Sequence, residues 1–425
     1  MLISQDKVDR GLKSSTTPRW LIRLTVVTLL VGIGAGLGGL LVVVCLHLVE
    51  QLAYGNANRT FLVELLDAPP LTRVIALSIA GLIGAVGWWA LRRWGRAVVS
   101  VEQSVGGKRM PPAVTLINAT LQVVIVGLGA SIGREVAPRE LGAFVSAWLS
   151  DRAGVSPRER RILVACGAGA GLAAVYGVPL GGAIFTVEIL LAEISFATVL
   201  PALATASIAT IIGHLVVPTT ALYSIPQFTL TPSMVVWSIV AGPIMGFAAI
   251  GFVRLTQFAQ AHRPKSWGIL IVMPATFAAV GVLSLAFPAI LGNGWSLGQI
   301  AFGVGVPVTL MAALLICKVL ATAGSIGSGA AGGTLTPSLA IGAAAGVLAG
   351  AAWSALWPGV PLAAFALIGA AAFLAASMRA PLTALVLVIE FTNEGPSMLV
   401  PMILAVAGSV AIGYVLNKRR TSRVP

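Results

Sequence analysis

The chain is poor in charged residues, which make up only 10% of its 425 positions. Soluble domains carry about 25% charge, so this scarcity excludes an ordinary soluble fold. Hydrophobic residues account for 57% of the sequence. Several apolar runs reach or approach the ~20 residues that a helix needs to cross hydrocarbon, and they lie at about 24–46, 74–91, 198–217, 234–253, 269–291, 303–323, 338–357 and 398–416. The composition therefore predicts a polytopic membrane protein built from helices.

Cysteine and histidine are also scarce, with three residues of each. They are scattered along the chain, so no disulfide framework and no metal-ligand spacing is present. We expect no metal and no cofactor. Ser328 lies in a Gly-Ser-Gly turn, but no histidine stands in a motif that could activate it as a nucleophile. The four aspartates all lie outside the predicted membrane core. The chain is therefore not expected to be an enzyme.

The formal net charge of +13 does not indicate a nucleic-acid partner, because the basic residues stand at the ends of apolar runs. This is the positive-inside pattern of membrane proteins. It predicts that both tails, 1–23 and 417–425, are cytoplasmic. No linker divides the sequence between them, so residues 24–416 are predicted to form a single transmembrane domain. The basic groups are Lys7, Arg10, Lys13, Arg19, Arg23, Arg92, Arg93, Arg96, Arg152, Arg158, Arg160, Arg161, Lys418, Arg419, Arg420 and Arg423.

Two Gly-rich breaks interrupt the apolar sequence about 200 residues apart. Residues 133–138 read Gly-Arg-Glu-Val-Ala-Pro, and residues 332–337 read Gly-Gly-Thr-Leu-Thr-Pro. A second pair of similar stretches, 167–180 and 369–382, has nearly the same offset. Such internal similarity is typical of transporters, in which the substrate binds between the repeats. We therefore predict two repeat halves, at about 111–217 and 303–416.

Each break is expected to start a helix inside the membrane. The first amides of a helix have no partner within it, and its dipole adds about half a positive charge there. Helix N-termini therefore bind anions without a full cation, which leaves the anion free to move on. We predict that the amides of Val136 and Ala137, together with those of Thr334 and Leu335, face one shared anion.

Glu135 places a carboxylate among these anion-attracting amides. It can compete with the anion for the site, and protonation would remove its charge and free the path. The alternative is that Glu135 only stabilises the first turn of its own helix. Arg134 is expected to attract anions or to act as an ion-pair partner, whereas Arg139 and Glu140 are expected to neutralise each other. Two further glutamates at equivalent repeat positions, Glu188 and Glu390, are expected to cap helices or pair with the backbone.

Four stretches together resemble the CLC family of chloride channels and proton/chloride antiporters, in the order typical of that family. The resemblance indicates a divergent prokaryotic-type member without cytoplasmic CBS domains. It implies an all-α inverted repeat of tilted and broken transmembrane helices, and a homodimer in the bacterial inner (plasma) membrane with one anion path per subunit. The stretches are Gly-Arg-Glu at 133–135, Gly-Leu-Ala-Ala-Val-Tyr-Gly-Val-Pro-Leu-Gly-Gly at 171–182, Gly-Gly-Thr-Leu-Thr-Pro at 332–337 and Leu-Ala-Ala-Ser-Met-Arg-Ala-Pro-Leu-Thr at 374–383.

The resemblance also implies roles for individual residues. Glu135 matches the external gate and proton carrier of the family. The stretch Gly333-Thr334-Leu335-Thr336-Pro337 matches the family's Gly-x-Phe-x-Pro motif, with Leu335 in place of phenylalanine. The amides of Thr334 and Leu335 are therefore expected to hold the central anion.

The sequence departs from the family at four further places. Val136 and Ala137 stand where the family has Gly-Pro, and Ile189 replaces the second glutamate that carries protons near the cytoplasm. The serine that contacts the inner anion has no clear counterpart; Ser104 and Ser100 are candidates. Ser422 stands where the family has its inner tyrosine.

These observations predict transport of an anion, with chloride expected, along a path gated by a glutamate and open to coupling with protons. A passive chloride channel and a fluoride exporter remain as alternatives. A cation path would carry carboxylates along its length, and the predicted core offers few besides Glu135. The expected partners are a halide, protons, the lipid bilayer and a second copy of the chain.

Overall fold

A computed structural model describes residues 18–55, 60–303 and 305–421. The predicted tail at 1–23 and the inner-gate position Ser422 therefore lie largely or wholly outside the described residues. The described residues form seventeen α-helices: α1 (Pro18–Tyr54), α2 (Phe61–Asp67), α3 (Pro70–Trp94), α4 (Val101–Val105), α5 (Pro112–Gly127), α6 (Val136–Ala153), α7 (Pro157–Tyr176), α8 (Pro179–Phe185), α9 (Phe196–Gly213), α10 (Pro232–Ala261), α11 (Ile269–Ala286), α12 (Trp295–Ala301), α13 (Val308–Gly327), α14 (Leu335–Ser354), α15 (Leu362–Met378), α16 (Pro381–Thr392) and α17 (Leu399–Thr421).

Eight helical segments among the described residues are long and apolar enough to cross a membrane, and each coincides with one of the eight predicted apolar runs. Across the described residues the only β pairing is one isolated bridge. The prediction of an all-α polytopic membrane protein is confirmed. Other helices, such as α5 and α15, are apolar but shorter, at 16 and 17 residues.

Helices follow one another in the same order in the two predicted halves. In the first half, α5 ends at Gly127 and α6 begins at Val136; in the second, α13 ends at Gly327 and α14 begins at Leu335. Each gap holds one of the Gly-rich breaks. The helices that come next, α7 to α9 and α15 to α17, also correspond in order. The helix that each break starts packs, in both halves, against the helix before it and the helix after it.

The helices that begin at the two breaks, α6 and α14, each pack closely against the backbone of the next helix. In the first half, a Cβ on Gly142 of α6 would meet the carbonyl oxygen of Gly167 on α7. In the second half, a Cβ on Gly342 of α14 would lie 2.9 Å from the carbonyl oxygen of Gly369 on α15. Small residues permit such packing where no hydrophobic effect drives helices together. These contacts fix the direction in which α6 and α14 point.

Glu188 and Glu390 each cap a helix of the other half. The Glu188 carboxylate accepts hydrogen bonds from the amides of Leu382 (3.0 Å) and Thr383 (2.6 Å) at the start of α16. The Glu390 carboxylate accepts them from the amides of Leu180 (2.9 Å) and Gly181 (2.6 Å) at the start of α8. The expectation that these glutamates pair with backbone is confirmed. This reciprocal capping holds the two halves together.

Lys318 on α13 is fully buried and ties the first break to a distant loop. Its ammonium donates to the hydroxyl of Ser131 (2.9 Å) and to the carbonyls of Ile290 (2.9 Å) and Gly292 (2.7 Å). A buried ammonium is costly unless its protons find acceptors, and here three acceptors are supplied. The residues just before Gly133 are thereby held against the second half.

Candidate functional site

The two Gly-rich breaks meet in the middle of the molecule. Gly133 donates its amide to the carbonyl of Gly333 (2.8 Å), and Gly333 donates to the carbonyl of Gly133 (3.1 Å). This reciprocal pair brings together two segments that lie 200 residues apart in sequence. It places the N-terminus of α14 next to Glu135, which immediately precedes α6.

Glu135 turns its carboxylate away from its own helix and into the start of α14. The residue is 1% exposed. Its Oε1 accepts a hydrogen bond from the amide of Leu335 at 2.7 Å, and its Oε2 accepts one from the hydroxyl of Thr336 at 3.3 Å. The alternative reading of Glu135 as a stabiliser of its own first turn is therefore not what the geometry shows. The carboxylate occupies an anion site made by the other half of the chain.

Glycine is required on both sides of this carboxylate. A Cβ on Gly133 or on Gly333 would overlap the carboxylate atoms of Glu135. Any other residue would fill the space that an anionic group needs. The paired breaks therefore form a pocket whose walls are backbone, in which amide dipoles face the bound charge.

Only part of the predicted amide set contacts the carboxylate. The Leu335 amide does so, as expected, and Thr334 is the N-cap residue that precedes it. No described hydrogen bond joins the carboxylate to the amides of Val136 or Ala137, so the shared site is built mainly from α14. The sequence analysis did not assign Thr336 to the site. Its position within the second break, next to Leu335, was the signal that could have identified it.

A cavity of about 970 Å³ opens next to Glu135, and we call it the basic vestibule. The residues at the junction, Glu135, Val136, Thr334 and Leu335, form part of its wall. Positive groups attract anions into such a space and raise their local concentration. The arginines of the wall are Arg92, Arg96, Arg139 and Arg263.

A second cavity, of about 340 Å³, carries carboxylates, and we call it the acidic vestibule. Glu50 and Glu64 line it together with Arg134 and Tyr176. Glu64 lies on α2, and burial raises the pKa of its carboxyl. The guanidinium of Arg134 lies over the ring of Tyr176, 5.0 Å from its centroid. Arg134, the neighbour of Glu135, therefore faces this cavity.

The two vestibules lie at opposite ends of α3. Residues of α2, just before α3 begins, line the acidic vestibule, whereas residues 95–98, just after α3 ends, line the basic one. A helix of 25 residues spans about 37 Å. Glu135 lines the basic vestibule and its neighbour Arg134 lines the acidic one, so this point of the chain stands between the two cavities.

Arg139 and Glu140 form no direct ion pair among the described residues, although the charge of Arg139 still acts on the Glu140 carboxylate. Arg139 donates from Nε to the carbonyl of Glu135 (3.1 Å), and its guanidinium lies 5.1 Å from the ring centroid of Phe185. The Glu140 carboxylate instead accepts hydrogen bonds from Asn118 and Gln122. Adjacent residues on a helix point about 100° apart, which sends these two side chains to different neighbours.

Ser104 is not brought to the basic vestibule. It is fully buried on α4, and its carbonyl accepts a hydrogen bond from Arg160 (3.2 Å). Ser100 lines the vestibule instead. There its hydroxyl accepts a hydrogen bond from the amide of Gln103 and caps α4. Ile189 lies in a π-helical turn (Thr186–Leu190) after α8 and is half-buried against the apolar core.

Comparison with known proteins agrees with this architecture. Residues 80–414 match the family model described as voltage gated chloride channel. A putative chloride channel protein, ClcB-like, from Ralstonia nicotianae is 32% identical over 346 residues, which cover 78% of this chain and 79% of that protein.

Solved structures share the fold at lower identity. A slow cyanobacterial Cl⁻/H⁺ antiporter matches with a TM-score of 0.79 at 23% identity, over 96% of this chain and 100% of that one. A CLC-type fluoride/proton antiporter matches with a TM-score of 0.72 at 20% identity, over 94% of this chain and 97% of that one. Since the family model spans most of the sequence, the chain belongs to the CLC family of voltage-gated chloride channels.

Proposed function

We propose that this CLC protein moves chloride across the bacterial inner membrane in exchange for protons, with Glu135 as the gate. Anion transport is the activity of its family, and proteins of similar structure include a chloride/proton and a fluoride/proton antiporter. One observation carries the proposal for this chain. The Glu135 carboxylate is bound by the Leu335 amide, so an anionic group already occupies a site built from backbone N–H.

Protonation of Glu135 is the proposed switch. A hydrogen bond from an amide to a carboxylate is roughly twice as strong as one to a neutral acceptor. When Glu135 takes up a proton, its hold on the Leu335 amide weakens and the side chain leaves. Chloride then enters from the acidic vestibule and accepts a hydrogen bond from the same amide. Release of the proton toward the acidic vestibule restores the carboxylate, which displaces the anion into the basic vestibule.

The site can bind an anion weakly enough to release it. The arginines stand in the wall of the basic vestibule, whereas among the described residues the Glu135 carboxylate accepts hydrogen bonds from an amide and a hydroxyl alone. Partial charges stabilise an anion less than a full cation in contact would. Conduction requires binding that is favourable but reversible.

We also propose an orientation and an assembly. The basic vestibule would open to the cytoplasm, because basic residues of membrane proteins are concentrated on that side. The chain would form a homodimer with one anion path per subunit, as its resemblance to the family implies. Native mass spectrometry or light scattering of the purified protein would test the dimer, and a monomer that transports would contradict it.

A passive chloride channel is the second candidate, and Ile189 is the observation that favours it. An isoleucine cannot carry a proton, and it stands where the family's antiporters have their inner proton carrier. In a channel, Glu135 would still gate the path, but no proton would be moved against its gradient.

The test uses purified protein in liposomes loaded with chloride, with efflux and internal pH recorded together. We expect the wild type to take up protons against their gradient, and Glu135→Ala to abolish proton movement while chloride efflux continues. The control is Glu193→Gln, which removes a carboxylate that pairs with Arg158 at the surface and should change neither. Proton uptake that persists in Glu135→Ala would contradict the gate.

Repeating the assay with fluoride shows which halide the protein transports. We expect chloride to support faster efflux than fluoride in the wild type. Fluoride efflux that exceeds chloride efflux would replace the chloride assignment with fluoride export and leave the gate in place.

A further inference from the structure

We propose that Glu140 is a proton-transfer site that passes protons between the basic vestibule and Glu135, and so fills the role that Ile189 cannot. This inference rests on the proposed exchange of chloride for protons. Glu140 lies in the second turn of α6 and is 5% exposed. It lines the same cavity as Glu135, from which it is separated by about 7.5 Å of helix rise.

Neutral side chains alone hold the Glu140 carboxylate. The Nδ2 group of Asn118 donates to both oxygens, at 3.1 and 2.9 Å, and the Nε2 group of Gln122 donates to Oε2 at 3.0 Å. Both partners lie on α5, and no ion pair reaches Glu140 from the described residues. A buried carboxylate without a cation in direct contact is costly. Ionisable groups kept inside a membrane protein commonly mark proton or ion pathways.

The two amides provide for both protonation states of Glu140. The indole Nε1 of Trp88 donates to Oδ1 of Asn118 at 2.9 Å, so the Nδ2 group of Asn118 must face the carboxylate. Gln122 is 2% exposed, and its Oε1 is buried without a partner. A protonated Glu140 needs an acceptor for its new O–H. A half-turn of the Gln122 amide supplies that acceptor, so the unpaired oxygen fits a group that gains and loses a proton.

The surrounding charge explains why a carboxylate is useful at this point. A wall rich in arginine attracts anions and repels hydronium ions, so bulk protons are scarce where Glu135 needs them. A carboxylate in that wall stores a proton within reach. The partners that α5 contributes to Glu140 are neutral. The charged groups around Glu140 are Glu135 just before its helix, Arg139 on the same helix, Glu102 on α4, Arg92 and Arg96 at the end of α3, and Arg263 after α10.

The transfer can run through water in the vestibule. A volume of about 970 Å³ holds roughly 30 water molecules at about 30 Å³ each. A hydronium ion gives its proton to the Glu140 carboxylate, which becomes a carboxylic acid. The acid passes a proton to a water molecule, and that water passes one to the Glu135 carboxylate. Glu140 returns to its charged form, and the net change is one proton moved.

Glu140→Gln removes the titrating group and keeps the shape of the site. Its new amide can accept from Asn118 and donate to a turned Gln122, so we expect the variant to fold. In the liposome assay, proton uptake should fall on the order of tenfold or more while chloride efflux continues. Glu140→Asp retains a carboxyl and should retain measurable proton uptake. Glu193→Gln, which removes a carboxylate that pairs with Arg158 at the surface, should behave as the wild type.

The outcomes separate the relay from the proposed function. If the wild type takes up protons and Glu140→Gln does so equally, the relay is wrong and the exchange stands. If the wild type takes up none, the exchange fails and the relay fails with it. Infrared difference spectra provide a readout without transport, since a protonated Glu140 gives a carboxylic C=O band that titrates with vestibule pH. Absence of such a band, or a band that Glu140→Asp leaves unshifted, would overturn the relay.

Discussion

The anion site at Glu135 depends on two residues that have no side chain. Gly133 and Gly333 pair through their backbones, and the carboxylate lies where a Cβ on either would project. In the proposed path, selection of an anion at this point would therefore come from backbone dipoles and from empty space. A residue that contributes no functional group is here as important as the glutamate.

Gly333→Ala should therefore block the path. The added methyl group would occupy the space of the Glu135 carboxylate, and with it the space of a transported anion. We expect chloride efflux from liposomes to fall by about tenfold or more, as for other changes that misplace groups at a site by about 1 Å. The block should persist in the double variant with Glu135→Ala, because the methyl group remains when the gate is gone.

A matched control is Gly251→Ala on α10, where an added Cβ meets nothing within 4 Å. It should transport as the wild type does. Unchanged efflux in Gly333→Ala would mean that anions pass elsewhere, and the assignment of the path to the paired breaks would be lost.

At the scale of elements, the exchanged glutamate caps make each half depend on the other. Glu188 follows α8 and caps α16, while Glu390 lies on α16 and caps α8. Helix N-termini in an apolar environment need partners for their first amides. Neither α8 nor α16 can therefore be fully satisfied by its own half.

Glu188→Ala should destabilise the protein without changing what it transports. The amides of Leu382 and Thr383 and the Thr383 hydroxyl would lose their acceptor, at a cost of about 1–3 kcal/mol. Thermal unfolding in detergent should show a lower midpoint, while the ratio of protons to chloride in liposomes stays the same. A changed ratio would give Glu188 a part in coupling.

The comparison for stability is Glu193→Ala, which breaks a surface pair with Arg158 (3.1 Å). Such pairs contribute about 0–1 kcal/mol, so its midpoint should move less than that of Glu188→Ala. Equal shifts in the two variants would show that the caps contribute no more than a surface contact.

The sequence predicted the long helices, the two breaks and the role of Glu188 and Glu390, because hydropathy and internal similarity are local signals. It did not predict how Glu140 is held. Its partners Asn118 and Gln122 lie one turn apart on α5, and their meeting with α6 depends on the angle at which the broken chain re-enters the core. The same holds for Thr336, whose hydroxyl reaches Glu135 only because the breaks pair.

At the scale of the whole molecule, charge is divided between the two ends of α3. Arginines line the basic vestibule, and the carboxylates of Glu50 and Glu64 line the acidic one. An anion is favoured in the basic vestibule, where arginines attract it. A proton that Glu135 releases is favoured on the opposite side, where negative charge stabilises it. The asymmetry suits exchange of an anion for a proton in opposite directions.

This arrangement predicts which residues face the cytoplasm. Arg96 is exposed in the basic vestibule and Thr60 is exposed in the acidic one. In a background without Cys45, Cys166 and Cys317, we expect Arg96→Cys to react with a membrane-impermeant maleimide only after the inner membrane is opened. Thr60→Cys should react in intact spheroplasts. The positive-inside rule supplies the physical reason, since basic segments are retained on the cytoplasmic side. The reverse labelling pattern would invert the orientation, and protons for Glu140 would then come from outside the cell.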